Sequence, residues 1–209
     1  FLMKNILEAL KWRYAVKVFD PTKKISTEKI DQLKEALVLS PSSFGLQPWK
    51  FLFITNSKLR EELKAHSWNQ GQITDASHLV VLCRQEKIDE QFVNEWVEVM
   101  AKESGRPAEK LEGYRQMVLD NVVKGDSYRA KQQDVYMKNQ VFIALGNLLT
   151  VAATMGIDAC PVGGFDPEKY DEILDLKAKG LRSCVVCPIG YRSDDDWHKD
   201  DPKVRFSAD

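Results

Sequence analysis

The sequence predicts an α+β fold built as a three-layer α/β/α sandwich, with helices covering both faces of one β-sheet. Two observations carry this prediction. Strand-like and helix-like segments alternate irregularly along the chain, and 209 residues allow one domain with a sizeable core but not two ordinary ones. Hydrophobic residues make up 44% and charged residues 29% of the chain, which excludes disordered and fibrous classes. We therefore predict a single domain over residues 1–209.

Capping residues and apolar spacing locate the helices. Ser26 is a favoured N-cap residue, and apolar residues follow it at helical spacing. The run Asp166-Pro167-Glu168 combines a cap, a proline at the first helical position and an acid in the first turn, which predicts another helix start. Further helices are predicted over residues 5–12, 57–66 and 86–123, the last with a break at 105–107.

Four apolar runs predict the strands of the sheet, at residues 49–55, 78–83, 157–162 and 183–191. Cys184 and Cys187 in the last run have C-x-x-C spacing. Residues three apart in a strand lie on opposite faces. We therefore expect two packed core cysteines here and not a redox or metal pair.

The longest predicted helix runs over about residues 127–155 and is closed by Gly156 as a C-cap. About 29 residues at ~1.5 Å each give a length of ~40 Å. Its second half is apolar nearly all round, which is typical of a helix buried on every side. The simplest way to bury it is against a second copy of the chain, and the alternative is a central helix of a monomer.

Charge and motifs exclude several function classes. The formal net charge of −1 leaves no electrostatic footprint for nucleic acid or an anionic membrane, and no apolar run approaches the ~20 residues of a membrane span. The chain has no dinucleotide G-x-G-x-x-G motif, Walker loop or G-x-S-x-G elbow, and its three histidines lack metal-ligand spacing. Four cysteines in apolar stretches and no secretion signal lead us to expect a cytoplasmic protein without disulfides.

Three segments carry residue types suited to a flat, anionic ligand. Arg13 and Lys17 could hold a phosphate or an anionic ring, or could form a solvated basic edge. The segment 40–49 (SPSSFGLQPW) combines small hydroxyls, glycine and two prolines in a rigid turn with free backbone donors, or is an ordinary helix-to-strand loop. The two glycines of the turn 161–166 (PVGGFD) let backbone N–H groups approach a ligand, or serve only the turn's dihedral angles.

Together and in this order, the segments resemble the FMN-dependent nitroreductase family over nearly the whole chain. The matching pieces are an Arg-x-x-x-Lys-x-Phe segment, a Ser-Pro-Ser-Ser…Gln-Pro-Trp loop, an Asn before an Asp-Ala-Ser strand entry, a long helix with Gly-Asn, a Pro-x-x-Gly-Phe-Asp turn and a C-terminal Lys-x-Arg pair. In this sequence they begin at Arg13, Ser40, Asn69, Gly146, Pro161 and Lys203.

The resemblance implies a mixed sheet flanked by helices, a long central dimer helix and a C-terminal tail that reaches the partner subunit. It also implies a homodimer with two FMN sites at the subunit interface. Arg13, Lys203 and Arg205 would hold the phosphate, and Lys17 would lie near the pyrimidine edge of the flavin ring. Further cofactor contacts would come from Tyr14, Ala15, Asn69, Gln72, Pro161, Val162, Gly163 and Gly164, and from Ser42, Ser43 and Gly45 of the second chain.

Several of these positions differ from the best-known relatives. Tyr14 and Ala15 replace the usual His-Ser pair, and Ala15 loses a hydroxyl contact to phosphate. Gln72 stands where some members have Lys, and Gly163 where some have Glu. Phe44 is bulkier than the small polar residue often found there, so we expect it to narrow the acceptor pocket.

The function implied by the resemblance is a ping-pong, two-electron reductase. NAD(P)H would give a hydride to N5 of FMN, and a nitroaromatic or quinone-like acceptor would then take its place in the same pocket. The hydride chemistry belongs to the flavin, so no catalytic side chain is expected. The alternatives are a reductase of the same fold for another acceptor, such as a flavin, a pteridine or an enone, and a flavin-binding protein without turnover.

Overall fold

The structure is a computed structural model that describes residues 5–207 of the chain. The helices are α1 (Ile6–Trp12), α2 (Thr27–Val38), α3 (Ser57–Ala65), α4 (Gln72–Asp75), α5 (Glu90–Ser104), α6 (Glu112–Val118), α7 (Tyr128–Lys131), α8 (Gln133–Thr154) and α9 (Pro167–Ile173). The strands are β1 (Trp49–Ile54), β2 (His78–Gln85), β3 (Asp158–Ala159) and β4 (Leu181–Gly190).

Side-chain caps set the starts of several helices. The hydroxyl of Ser26 accepts from the backbone N–H of Lys29 at the start of α2. The carboxylate of Asp166 accepts from two N–H groups of α9, and Pro167 follows at the first helical position. Asn56 caps α3 in the same way. The predicted starts at Ser26 and Asp166 are therefore confirmed.

The four strands form one sheet in the order β1-β2-β4-β3, and all three neighbouring pairs are antiparallel. An isolated parallel bridge joins Ala15 to Ala159 at the outer strand. The pairs of named strands are thus all antiparallel, and the expected mixed character is limited to this one bridge, which brings the segment that contains Arg13 and Lys17 to the β3 edge.

Helices cover both faces of the sheet, which confirms the three-layer prediction. On one face, Val80 and Leu82 of β2 pack in a core with residues of α2 and α8. On the other face, Leu79 and Val81 of the same strand pack with residues of α3, α4 and α9. The alternation along β2 is the period of two expected for a strand buried on both sides. A third cluster, formed mainly by α5, α6 and the start of α8, lies beside the sandwich.

The predicted single helix over residues 127–155 is wrong in one respect. Gln132 has φ −130° and ψ 54°, which are not helical, so the chain forms the short α7 followed by the 22-residue α8. At ~1.5 Å per residue, α8 is ~33 Å long. Its end is as predicted: Gly156 has φ +69° and the N–H of Ile157 donates to Ala152, which closes the helix.

Part of α8 stays exposed within one chain, in contrast to a helix buried on every side. Val135, Phe142 and Ile143 are each nearly half exposed. Ile6 and Leu7 of the neighbouring α1 are more than half exposed. The apolar surface of these helices is what a second subunit would have to cover.

Local departures from regular strands explain two further differences. The predicted strand over residues 157–162 is regular only at Asp158–Ala159. Pro161 has no N–H to donate, so it interrupts the ladder. Beyond it, Val162 still forms an isolated bridge with Val186. A β-bulge between Leu82 and Cys83 shifts the register opposite Cys184. Cys184 and Cys187 therefore contact the same core cluster, and the expected opposite faces are wrong, while both thiols are free.

Candidate functional site

A positively charged cavity of about 630 Å³ lies between the segment after α1 and the C-terminal tail. It brings together six residues that the sequence assigned to the cofactor. These are Arg13, Tyr14, Ala15, Lys17 and, from the tail, Lys203 and Arg205, joined by further residues that the sequence did not single out: Lys11, Trp12, Arg192, His198, Lys199, Asp201, Pro202 and Val204.

Three of the cations lie close enough to repel one another. Burial and the nearby charge of Arg205 lower the pKa of the Arg13 guanidinium. Burial and the charges of Arg13 and Arg205 likewise lower the pKa of the Lys203 ammonium. The Lys203 ammonium donates to the backbone carbonyl of Arg13. Within residues 5–207 no carboxylate forms an ion pair with any of the three, and Asp201 in the cavity wall is paired with His198.

Unpaired cations that converge on a cavity destabilise the empty site and stabilise an anion within it. Arg offers a planar fork for phosphate oxygens, and Lys a point charge. The donor set of Arg13, Lys203 and Arg205 therefore fits a phosphate group, such as that of FMN.

A buried carboxylate fixes the tail against this segment. Both oxygens of Asp196 accept from backbone N–H groups, one from Lys17 at 2.7 Å and Val18 at 3.0 Å, the other from His198 at 2.9 Å. Burial alone would raise the pKa of Asp196, but these hydrogen bonds outweigh it and hold the pKa below its ordinary value. Asp196 thus joins Lys17 to the part of the tail that leads to Lys203.

Arg192 forms one wall of the cavity and stacks on the ring of Tyr14. Its guanidinium pairs with Asp158 at 2.6 Å and lies 4.3 Å from the ring centroid of Trp12 and 4.4 Å from that of Tyr14. Burial raises the pKa of Tyr14 to about 12. Tyr14 therefore lines the cavity as a neutral, stacked ring.

The turn 161–164 adjoins the cavity. Ala15 forms a β-bridge with Ala159, two residues before the turn. Burial raises the pKa of the next residue, the Cys160 thiol, while the nearby charges of Lys17 and Arg13 act to lower it. The N–H groups of Gly163 and Gly164 donate to no acceptor within the described part of the chain. Two free backbone donors therefore lie next to the cationic cavity.

The loop before α4 packs onto this turn. The Gln70 amide donates to the carbonyl of Gly164 at 2.9 Å, and the N–H of Asp166 donates to His66 at 2.9 Å. A Cβ at Gly164 would lie 2.0 Å from the Trp68 ring, so the ring keeps this position only while residue 164 lacks a side chain. That ring is 78% exposed, so it forms an apolar wall at the mouth of the turn.

Asn69 lies in this loop, and Gln72 follows it as the first residue of α4. Asn69 has a left-handed backbone with φ +55°. Gln72 is 8% exposed, and its amide makes no hydrogen bond to any residue of 5–207. The residue is buried, but its amide atoms reach the surface and have no partner among these residues, so they are accessible to a ligand. Sequence reasoning missed α4 and the buried Arg60, whose guanidinium donates to the carbonyls of Ile73, Ala76 and Ser77 at 2.6–3.3 Å and thereby fixes the position of Gln72.

Ser42, Ser43 and Gly45 do not line the cationic cavity of their own chain. The N–H of Ser43 donates to Gln140 of α8 at 2.9 Å, and its carbonyl accepts from the Tyr136 hydroxyl at 3.2 Å. The Ser42 hydroxyl accepts from Gln47, and the N–H of Gly45 donates to Ser42. The expectation of free backbone donors therefore fails in part: the N–H of Ser43 holds the loop on α8, and the N–H groups of Gly45 and Gln47 donate to Ser42 within the loop.

Phe44 in the same loop is held in an unusual conformation. Its φ is +57° and its ψ 10°, a left-handed region that costs about 1 kcal/mol or more for such a residue. The Tyr114 hydroxyl donates to its carbonyl and itself accepts from the Trp96 indole at 3.1 Å. This relay from α5 and α6 fixes the position of the Phe44 ring.

Two features are absent from residues 5–207. No helix there has the length and apolar character needed to cross a bilayer, and no three His, Cys, Asp or Glu side chains lie together as a metal site would require.

Comparison with known proteins agrees with this geometry. The model of the nitroreductase family matches residues 10–191. A Staphylococcus epidermidis protein provisionally named an NAD(P)H nitroreductase is 35% identical over 99% of this chain and 94% of its own length. Among solved structures, an Exiguobacterium sibiricum protein in complex with FMN superposes with a TM-score of 0.80 at 22% identity, covering 99% of this chain and 95% of that one. The enone reductase CLA-ER, from a gut-bacterial fatty acid saturation pathway, gives 0.79 at 20% identity, covering 100% and 96%. The fold and the sequence agree, and the chain belongs to the nitroreductase family.

Proposed function

We propose that this chain is an FMN-dependent NAD(P)H oxidoreductase that reduces nitroaromatic and quinone-like acceptors in two-electron steps. The observation that carries the proposal is the cavity in which Arg13, Lys203 and Arg205 converge without a carboxylate partner, beside the free N–H groups of Gly163 and Gly164. One end of such a site is suited to a phosphate, and the other to the polar edge of a flat ring.

The roles follow from the positions of the side chains. Arg13, Lys203 and Arg205 bind the phosphate. Lys17 places a positive charge where negative charge develops on the ring during reduction. Gln72 offers an unpaired amide to the ring edge or the sugar chain. Bound FMN supplies the chemistry by taking a hydride from NAD(P)H and passing two electrons to the acceptor, so we assign no catalytic acid or nucleophile to the protein.

The reducing substrate and the acceptor use one pocket in this proposal. The chain has no dinucleotide-binding fingerprint, which agrees with entry of NAD(P)H over an exposed ring face, departure of the oxidised nicotinamide and entry of the acceptor in its place. Initial rates measured over a grid of NADPH and acceptor concentrations test this. Parallel lines in a double-reciprocal plot support ping-pong exchange, and intersecting lines contradict it.

A homodimer is part of the proposal. A second subunit would cover the exposed apolar side chains of α1 and α8. The loop 42–45 does not line the cavity of its own chain, so in the dimer it would complete the flavin site of the partner. Phe206 near the end of the tail is fully exposed and is also suited to partner contact. Light scattering should give about twice the chain mass of 23.9 kDa; a mass near one chain rejects the dimer.

A second candidate is reduction of an enone, favoured by the structural likeness to an enone reductase. A panel of nitroaromatics, quinones, enones, free flavin and a pteridine, assayed under anaerobic conditions with NADPH and with NADH, separates the acceptors. Bleaching of the flavin absorption by the nicotinamide donor separates every reductase from a protein that only binds flavin. We also propose a cytoplasmic location, which the four free thiols support.

A further inference from the structure

We propose that Arg129 is a binding site for a phosphoryl group of the nicotinamide dinucleotide. This inference rests on the proposed function, in which the loop 42–45 of one subunit borders the flavin bound by the other. It concerns a residue at the rim of that site, on the short helix α7.

Two aromatic rings hold the Arg129 guanidinium. Its central carbon lies 5.6 Å from the ring centroid of Phe44 and 5.2 Å from that of Tyr128. Both distances lie within the ~6 Å range of cation–π attraction. Stacking against ring faces restricts a guanidinium while leaving its N–H edge available to acceptors in its plane.

Apart from these two rings, the charge of Arg129 has no partner among the described residues. Within residues 5–207 it forms no ion pair and no side-chain hydrogen bond. By contrast, the ammonium of Lys131 on the same helix pairs with the Asp126 carboxylate at 3.0 Å. Arg129 is half-buried, and its charge acts on the Tyr136 hydroxyl, whose pKa is raised mainly by burial. A partly buried, oriented and unpaired guanidinium is suited to a phosphate or pyrophosphate.

The support beneath Arg129 is rigid. Phe44 is held by the Tyr114 hydroxyl at its carbonyl, and the preceding Ser43 is held by Gln140 and Tyr136 of α8. Arg129 therefore has a fixed place relative to the loop that borders the flavin. The chain has no glycine-rich dinucleotide motif, so in this proposal a side chain such as Arg129 contacts the phosphates of the dinucleotide.

The test compares electron donors that differ in their phosphates, in the wild-type protein and in Arg129→Gln. The donors are NADPH, NADH and 1-benzyl-1,4-dihydronicotinamide, which has no phosphate. Flavin reduction is followed by stopped-flow absorbance. Loss of one charged hydrogen-bonding partner predicts an apparent Kd for the dinucleotide about 10- to 100-fold higher, with no change for the phosphate-free donor. The matched control Lys131→Gln removes an equal charge from the same helix, and its donor affinities should match the wild type.

The pattern of loss identifies the phosphoryl group. Weaker binding of NADPH alone points to the 2′-phosphate, and equal weakening of NADPH and NADH to the pyrophosphate; either result supports the proposal. Calorimetric titration with ADP-ribose and 2′-phospho-ADP-ribose gives a second measurement that does not depend on turnover, and Arg129→Lys should recover part of the affinity. Unchanged binding in Arg129→Gln, or equal loss with the phosphate-free donor, overturns the proposal. A wild-type protein that retains no flavin would instead overturn the proposed function.

Discussion

Replacing Arg205 with alanine should weaken FMN binding while leaving the empty protein at least as stable as the wild type. Arg205 contributes one of three unpaired cations at the cavity, and its charge lowers the pKa values of Arg13 and Lys203. Its removal therefore relieves repulsion in the empty site. In the loaded site it removes a charged hydrogen-bonding partner of the phosphate.

The expected loss can be estimated. A hydrogen bond to a charged group contributes about 1.5–3 kcal/mol. Arg205 is exposed, so we expect the lower part of that range, about 1.5–2 kcal/mol, or a Kd for FMN about 10- to 30-fold higher. The dependence of the affinity on salt should also weaken, because one fewer charge attracts the phosphate.

Quenching of FMN fluorescence on titration with the protein measures this Kd at two salt concentrations, and thermal unfolding without FMN measures stability. Lys199→Ala is the matched control, because it removes a charge from the same cavity wall but is not one of the three cations that we assign to the phosphate. We expect the control to change the Kd much less than Arg205→Ala. An unchanged Kd in Arg205→Ala, or equal losses in the two variants, would refute the assignment of the phosphate site.

Three further predictions follow from the same geometry. Asp196→Asn should loosen the tail and weaken FMN binding, as seen in faster hydrogen exchange at 193–205. Folding lowers the pKa of Asp196. The stability that Asp196 contributes should therefore be complete above about pH 4 and be lost as the pH falls through the lowered pKa. Acid unfolding curves that coincide for the variant and the wild type would contradict this. Gly164→Ala should displace the Trp68 ring and change KM for the acceptor more than FMN affinity, which steady-state kinetics and flavin titration measure together. Arg60→Met should leave three carbonyls without their donor and lower the free energy of unfolding by about 3 kcal/mol; a urea midpoint equal to that of the wild type would be inconsistent with it.

The layers of the fold could be predicted from the sequence because they depend on local patterns. The apolar runs 49–54 and 78–83 form strands, and the caps at Ser26 and Asp166 begin helices where expected. The break at Gln132 could not be predicted, because no proline or glycine marks it. The bulge opposite Cys184 likewise depends on the pairing of two distant strands, which residue spacing within one strand does not reveal.

The candidate site could be predicted in part. The family pattern names Arg13, Lys17, Lys203 and Arg205, and the structure brings them to one cavity. The residues that hold them there escaped prediction. Asp196 lies in an ordinary run of three aspartates, and only the fold shows that it alone is buried against the backbone of Lys17.

The visible absorption spectrum of the purified protein, recorded before and after incubation with FMN and removal of the excess, tests the central claim most directly. The account predicts flavin bands near ~370 and ~450 nm that remain with the protein and bleach under anaerobic conditions on addition of NADPH or NADH. A protein that stays colourless after incubation with FMN would contradict it, and the cationic cavity would then have to serve a different anion.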